Sequence, residues 1–261
     1  MNLDELSVVI LTFDEAPNIG RVLEKLTWCR DVVVLDSFSA DETEVICRSF
    51  RNVSFYQRKF DNHWNQWNAA LDFAGNAWVL SLDADYIIDS RLLSELRELE
   101  PQVNGYSIPF RYCVNGYPLR ASLLPPRIAL FDRRKARYVA DGHTQLLACE
   151  GPLGALRSPI YHDDRKPLKR WLASQDNYMD LEVKKLLGSE YGDLGLGDKV
   201  RKLVIFAPFA VFFYCLVLQG CILNGRAGWF YALQRLVAEA WLSVKLLEAS
   251  LGANENAKRN L

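Results

Sequence analysis

Asp83 and Asp85 are two carboxylates one residue apart, directly after the apolar run Trp78-Val79-Leu80-Ser81-Leu82. A run this apolar reads as the buried centre of a sheet, so the acids stand where the chain leaves the core. Oxygen-only, anionic ligands suit a hard cation, Mg²⁺ or Mn²⁺, carrying a substrate diphosphate. Carboxylates also end strands merely by capping the next helix or shaping a turn. The sequence upstream weighs between these readings.

Residues 6–82 alternate between short β-rich runs and helical patterns. Leu6–Thr12 reads as a strand, and Asn18 caps a helix with Ile19, Val22, Leu23 and Leu26 on one face. Val32–Leu35 is a second strand, followed by a helix carrying Val45, Ile46 and Phe50. Val53–Gln57, a helix over Trp64–Ala74 and the strand Trp78–Leu82 complete the series. Such repeats imply a doubly wound, mainly parallel α/β sheet, which binds ligands at the carboxyl ends of its strands. Three polar clusters fall at such ends: Thr12–Glu15, Asp36–Asp41 and Asp83–Asp85. That convergence favours chemistry over capping. Beyond Gly105 the pattern is irregular, until Pro167–Leu187 reads as a helix.

Composition narrows the partners. Among 261 residues, 31 Lys and Arg face 32 Asp and Glu, so no global field draws nucleic acid. Six cysteines without C-x-x-C spacing point to buried thiols in a reducing compartment. The acidic amino terminus carries no secretory signal, so the main domain is expected to face the cytoplasm. Leu203–Leu223 carries no charge and is long enough to cross a bilayer as one helix, though Pro208, Gln219 and Gly220 weaken it. Trp229, Leu233, Leu236, Val237, Ala240, Trp241, Val244 and Leu247 then recur at helical spacing, with Arg235, Glu239, Lys245 and Glu248 between them. The two helices could pack on the rest of the chain or pair in a homodimer. Membrane attachment through a shallow hairpin is the favoured expectation, with a boundary near residue 190.

Together these residues resemble the family 2 glycosyltransferases of the GT-A fold, and within them the bacterial lipopolysaccharide-core and surface-polysaccharide sugar transferases. The resemblance rests on Ser7–Glu15, Val33–Thr43 and Trp78–Asp85, and continues more loosely through Tyr161-His162-Asp163 and Asn224–Gly228. It implies a metal-dependent, inverting transfer of a hexosyl type. The donor would be a nucleotide sugar and the acceptor a lipid-linked glycan at the cytoplasmic face of the bacterial inner membrane. Thr12 and Glu15 would line the nucleotide pocket and Asp36 would hydrogen-bond the base. Asp83 would lie near the ribose or the metal, and Asp85 would bind the metal. Arg58, past the third strand, could contact phosphate or merely stand on the rim.

Three positions depart from the family pattern: Tyr86 for an acid, Trp67 for a basic residue, and Asp141-Gly142-His143-Thr144-Gln145 where many relatives carry His-Glu. An inverting transfer needs a base for the acceptor hydroxyl. Asp141 is the first candidate, with Asp163 and His143 as others; His143 could instead complete the metal shell. His63 reads as a structural or surface histidine. Two alternatives keep the same fold. One is transfer to a polyisoprenyl phosphate, with Arg133, Arg134, Lys135 and Arg137 as its basic pocket. The other is a non-catalytic membrane scaffold. A dinucleotide oxidoreductase fails, because Phe13–Asn18 lacks the G-x-G-x-x-G that pyrophosphate approach requires.

Overall fold

A computed structural model describes residues 1–120, 125–141 and 144–259, and the side chains of these apart from 141, 144–145 and 253–259. The elements run β1 (Leu6–Thr12), α1 (Ile19–Glu24), β2 (Asp31–Asp36), α2 (Thr43–Arg48), β3 (Val53–Gln57), α3 (His63–Asp72) and β4 (Trp78–Asp83). Then come β5 (Tyr86–Ile87), α4 (Ser90–Glu98), β6 (Gly105–Ile108), β7 (Phe110–Val114), β8 (Tyr117–Pro118), β9 (Arg127–Asp132), β10 (Ala136–Asp141), β11 (Thr144–Cys149), β12 (Leu153–Ala155) and β13 (Ile160–His162). Helices α5 (Leu168–Gly188), α6 (Leu196–Arg201), α7 (Ala207–Phe213) and α8 (Gly225–Arg259) follow.

Seven strands form the central sheet in the order β12-β6-β9-β4-β1-β2-β3. β4, β1, β2 and β3 are parallel, whereas β9 runs antiparallel to both β4 and β6. Near-continuous burial of β1, β2 and β4 reflects cover on both faces. On one face Val8, Ile10, Val34, Leu80 and Leu82 pack with α1 and α4; on the other Val9, Val33 and Val79 pack with α3 and the β10–β11 hairpin. Asn68 of α3 locks that hairpin through two hydrogen bonds, donating to the Tyr138 carbonyl (2.8 Å) and accepting from its N–H (3.0 Å). Trp67 is a core residue stacked on Tyr138 with ring centroids 5.1 Å apart.

The chain divides into two compact units, Met1–Pro118 with Ser122–Arg165, and Leu119–Ala121 with Lys166–Leu261. The division precedes α5 instead of following it near residue 190. The reason is packing: Met179 and Leu186 of α5 form one core with Ala238, Leu242 and Leu246 of α8.

The single helix expected over 203–223 is broken. Pro208 opens α7, one π-helical turn spans Tyr214–Leu218, and Gly220 takes a left-handed φ of 71° that ends the run. Among the described residues no single helix is long and apolar enough to cross a membrane; only Ala207–Leu218 and Cys221–Gly252 together pass that test, bent by 67°. The bend is tight at Gly228, where a Cβ would lie 1.8 Å from the Cys221 carbonyl oxygen. Only glycine fits there.

Candidate active site

The three polar clusters meet along one edge of the sheet. Strand register sets Thr12 beside Asp36 and Leu11 beside Asp83, so β1, β2 and β4 end together. The loops after β1 and β2 are latched to each other. Asp14 N–H donates to Ser39 Oγ (2.7 Å), Ala40 N–H to Asp14 Oδ1 (2.7 Å), and Glu15 N–H to Thr43 Oγ1 (2.7 Å).

Asp36 is fully buried and accepts from Thr12 Oγ1 (2.9 Å), Ser39 N–H (2.8 Å), the Ser39 hydroxyl and Gln57 Nε2 (3.3 Å). Glu15 accepts from Asn18 Nδ2 (3.0 Å). Arg58 forks onto Asp61 (2.8 and 3.1 Å) and donates to Gln66 Oε1 (2.7 Å). Gln66, fully buried on α3, donates in turn to Ser37 Oγ (3.1 Å). It ties the loop after β2 to Arg58, a role its position in a helical pattern gave no sign of.

Asp83 ends β4, and Asp85 is buried one turn on. Burial, reinforced by the Asp85 charge, lifts the Asp83 carboxyl above the usual range against a hydrogen bond from Tyr86. Tyr86 is buried, and burial pushes its phenol far up, keeping it a neutral donor. Tyr86 thus stands as a neutral hydrogen-bond donor to Asp83. Antiparallel pairing of β5 with β13 sets His162 opposite Tyr86, and His162 Nε2 lies 3.0 Å from Asp85 Oδ2. Burial disfavours a charged imidazole, but Asp85 and Asp83 outweigh it and raise the His162 pKa.

The Asp85 carboxylate suits Mn²⁺ or Mg²⁺, and a cation there would add His162 as a nitrogen ligand only by displacing the proton that the two acids favour on it. Among the described residues no three His, Cys, Asp or Glu side chains make a closed cage. That donor set matches a cation that keeps waters and takes its remaining ligands from substrate phosphates.

Asp163 is 3% exposed and held by Arg21 Nη1 (2.8 Å), Arg165 Nη2 (2.9 Å) and the Gly116 N–H (2.9 Å). Its own N–H donates to the Asp85 carbonyl (3.0 Å). A carboxylate so engaged anchors the strand that carries His162; it is not presented as a base. Asp141 ends β10, paired with Thr144, at the tip of the hairpin. The Asp141 side chain and all of His143 lie outside the described residues.

Two further residues belong to this edge. Arg127 opens β9 where β4 ends, is exposed, and lies close enough to Asp83 to favour its charge. His63, at the start of α3, also feels Asp83, while partial desolvation lowers its pKa. The basic run is at the other end of β4: Asp132 pairs with Trp78, Arg134 binds Asp132 (2.6 Å), Arg133 donates to the Asn76 carbonyl (2.8 Å) and Arg137 binds Asp72 (3.1 Å). Three of its four basic side chains are thus engaged with neighbours at that end of β4.

The acids at the end of β4 thus lie beside the polar loops that follow β1 and β2. Residues 7–156, more than half of the chain, match the family described as glycosyl transferase family 2. The chain belongs to that family. It is similar to the lipopolysaccharide core biosynthesis glycosyltransferase LpsC of Rhizobium meliloti (strain 1021), at 24% identity over 254 residues, covering 93% of this chain and 92% of LpsC. Residues 1-349 of S. aureus TarS in complex with UDP-GlcNAc superpose with a TM-score of 0.50 at 17% identity, covering 90% of this chain and 81% of that one. The same TarS fragment bound to UDP gives 0.48 at 15% identity, covering 94% and 92%. The family match and the likeness at a TM-score of 0.50 show the GT-A fold.

Proposed function

We propose that this family 2 glycosyltransferase moves a sugar, with inversion, from a nucleotide-diphosphate donor to a membrane glycolipid of the lipopolysaccharide core or a related surface polysaccharide. The meeting of Asp85 and His162 at the strand edge shared with Thr12 and Asp36 carries this reading. Similarity to LpsC along nearly the whole chain supports the acceptor class.

In this reading Asp85 and His162 hold Mn²⁺ or Mg²⁺, with Asp83 beside them. The cation, when bound, neutralises charge on the departing nucleoside diphosphate. Thr12, Glu15 and Asp36 shape the nucleotide wall, and Arg127 adds a second positive contact to the diphosphate. Arg58, committed to Asp61 and Gln66, braces that wall from outside. Asp141, at the hairpin tip, takes the proton of the attacking hydroxyl, leaving Asp163 as an anchor. Isothermal titration of nucleoside diphosphates with and without Mn²⁺ tests the donor site; metal-independent binding would overturn it.

Attachment to the cytoplasmic face of the inner membrane is part of the proposal, and the large apolar side chains that the second unit leaves exposed support it. Phe209, Phe213, Leu218, Trp229, Leu233 and Trp241 are exposed, whereas Glu239 is 1% exposed. Glu239 is held between Arg201 (3.0 Å) and Arg235 (3.1 Å). Apolar residues outside and paired charges inside suit a lipid surface.

A further inference from the structure

Phe38 takes φ = 62° in the loop after β2, and its side chain is 55% exposed. A bulky L-residue in the left-handed region carries steric strain that glycine would avoid. An exposed phenyl ring also gives up the burial that normally keeps a phenylalanine in a fold. This side chain therefore works against stability twice, and strain of that kind persists where function holds it.

Its surroundings indicate which function. Phe38 lies between Asp36 and Ser39, and the Ser39 N–H and hydroxyl both bind the Asp36 carboxylate. Phe13, 56% exposed, follows Thr12 on the neighbouring strand, whose register pairs Thr12 with Asp36. Asp36 already accepts from Thr12, Ser39 and Gln57, so most of its capacity to read a base by hydrogen bonding is taken. A flat ring at the same strand edge supplies what that carboxylate lacks. We infer that Phe38 is a substrate-binding residue whose ring stacks on the nucleobase of the donor, the strained backbone being what turns the ring toward it. The inference rests on the nucleotide site proposed above. Stacking is tolerant of base identity, since every base offers a π-face, so discrimination among bases at this site is expected to be shallow.

The test separates strain from recognition. ADP, CDP, GDP and UDP are titrated calorimetrically, each with Mn²⁺, into the full chain and into Phe38→Gly and Phe38→Ala. Phe38→Gly removes ring and strain together, so it should melt no lower than wild type while binding the nucleoside diphosphate roughly tenfold or more weakly. Phe38→Ala should lose binding equally, without the gain in stability. Inorganic pyrophosphate with Mn²⁺ should bind wild type and both variants alike, because it carries no base. Unchanged nucleotide affinity in Phe38→Gly, a lower melting temperature, or an equal loss for pyrophosphate would each overturn the inference. Failure of wild type to bind any of the four nucleotides would instead bring down the nucleotide site itself, and this reading with it.

Discussion

The two units of this chain put their charges in opposite places. In the sheet unit, acids gather at strand ends, and the interior of β1, β2 and β4 is aliphatic. In the helical unit, Glu239 is buried among Arg201 and Arg235 while aromatic and aliphatic side chains of α7 and α8 face outward. A sheet covered on both faces by its own helices completes its core from within the chain. The helical unit combines a small apolar core between α5 and α8 with a buried ion-pair cluster at Glu239, and leaves other apolar side chains of α7 and α8 exposed. The proposed membrane attachment would use that exposed apolar surface.

The strongest way to break the comparison is at the strand edge. Asp85→Ala should lower transfer on the order of a thousandfold with an unchanged circular dichroism spectrum, because the carboxylate serves the site and not the core. Retained turnover at saturating Mn²⁺ would remove it from the mechanism. In the other unit, Glu239→Ala should destabilise by about 1–3 kcal/mol, since the half-buried Arg235 loses this partner while Arg201 keeps Glu182 at 2.9 Å. Denaturant melting in detergent reads this, and a change below about 1 kcal/mol would mean that the buried pairing carries little.

Phe213→Glu combined with Leu218→Glu should leave melting nearly unchanged and weaken sedimentation with anionic vesicles by tenfold or more, as two exposed apolar anchors of about 1.5–3 kcal/mol each are lost. Full sedimentation would show that this face is not the attachment. Arg127→Gln is expected to raise the donor KM several-fold with a smaller change in kcat, the signature of a phosphate contact made before the transition state.

The smallest effect is at Glu95, whose carboxylate accepts from the N–H groups of Arg157 and Ser158 at 2.8 Å each. Burial raises its pKa, but those hydrogen bonds outweigh it and hold it below the usual range. A depressed folded pKa stabilises above the unfolded value and loses that contribution as pH falls through the folded one. Glu95→Gln should therefore cost about 1 kcal/mol near neutral pH. The difference from wild type should vanish as pH drops below the ordinary carboxylate range; a pH-independent gap would refute the assignment.

Much of the edge was legible in sequence because local patterns encode it. Alternating strand and helix signals gave β1 to β4, and Asp83-x-Asp85 after an apolar run marked the strand end that lies beside Thr12 and Asp36. The partner of Asp85 was not legible. His162 is 77 residues away and arrives through the β5–β13 register, which two- and three-residue strands do not announce. Trp67 and Tyr86 stood out only as departures from a pattern; their burial shows one to be core and the other a neutral donor beneath Asp83. The basic run looked like a pocket in one dimension and lies at the opposite end of β4.

By itself, then, the sequence determined the elements and the presence of an acid pair at a strand terminus, since periodicity and strand ends are local properties of a chain. Tertiary structure alone decided that His162, not Asp163, faces Asp85, and that Glu239 turns inward while Trp241 turns out. Those choices depend on strand register and on which helix faces meet, and both are fixed by packing between segments far apart in the chain.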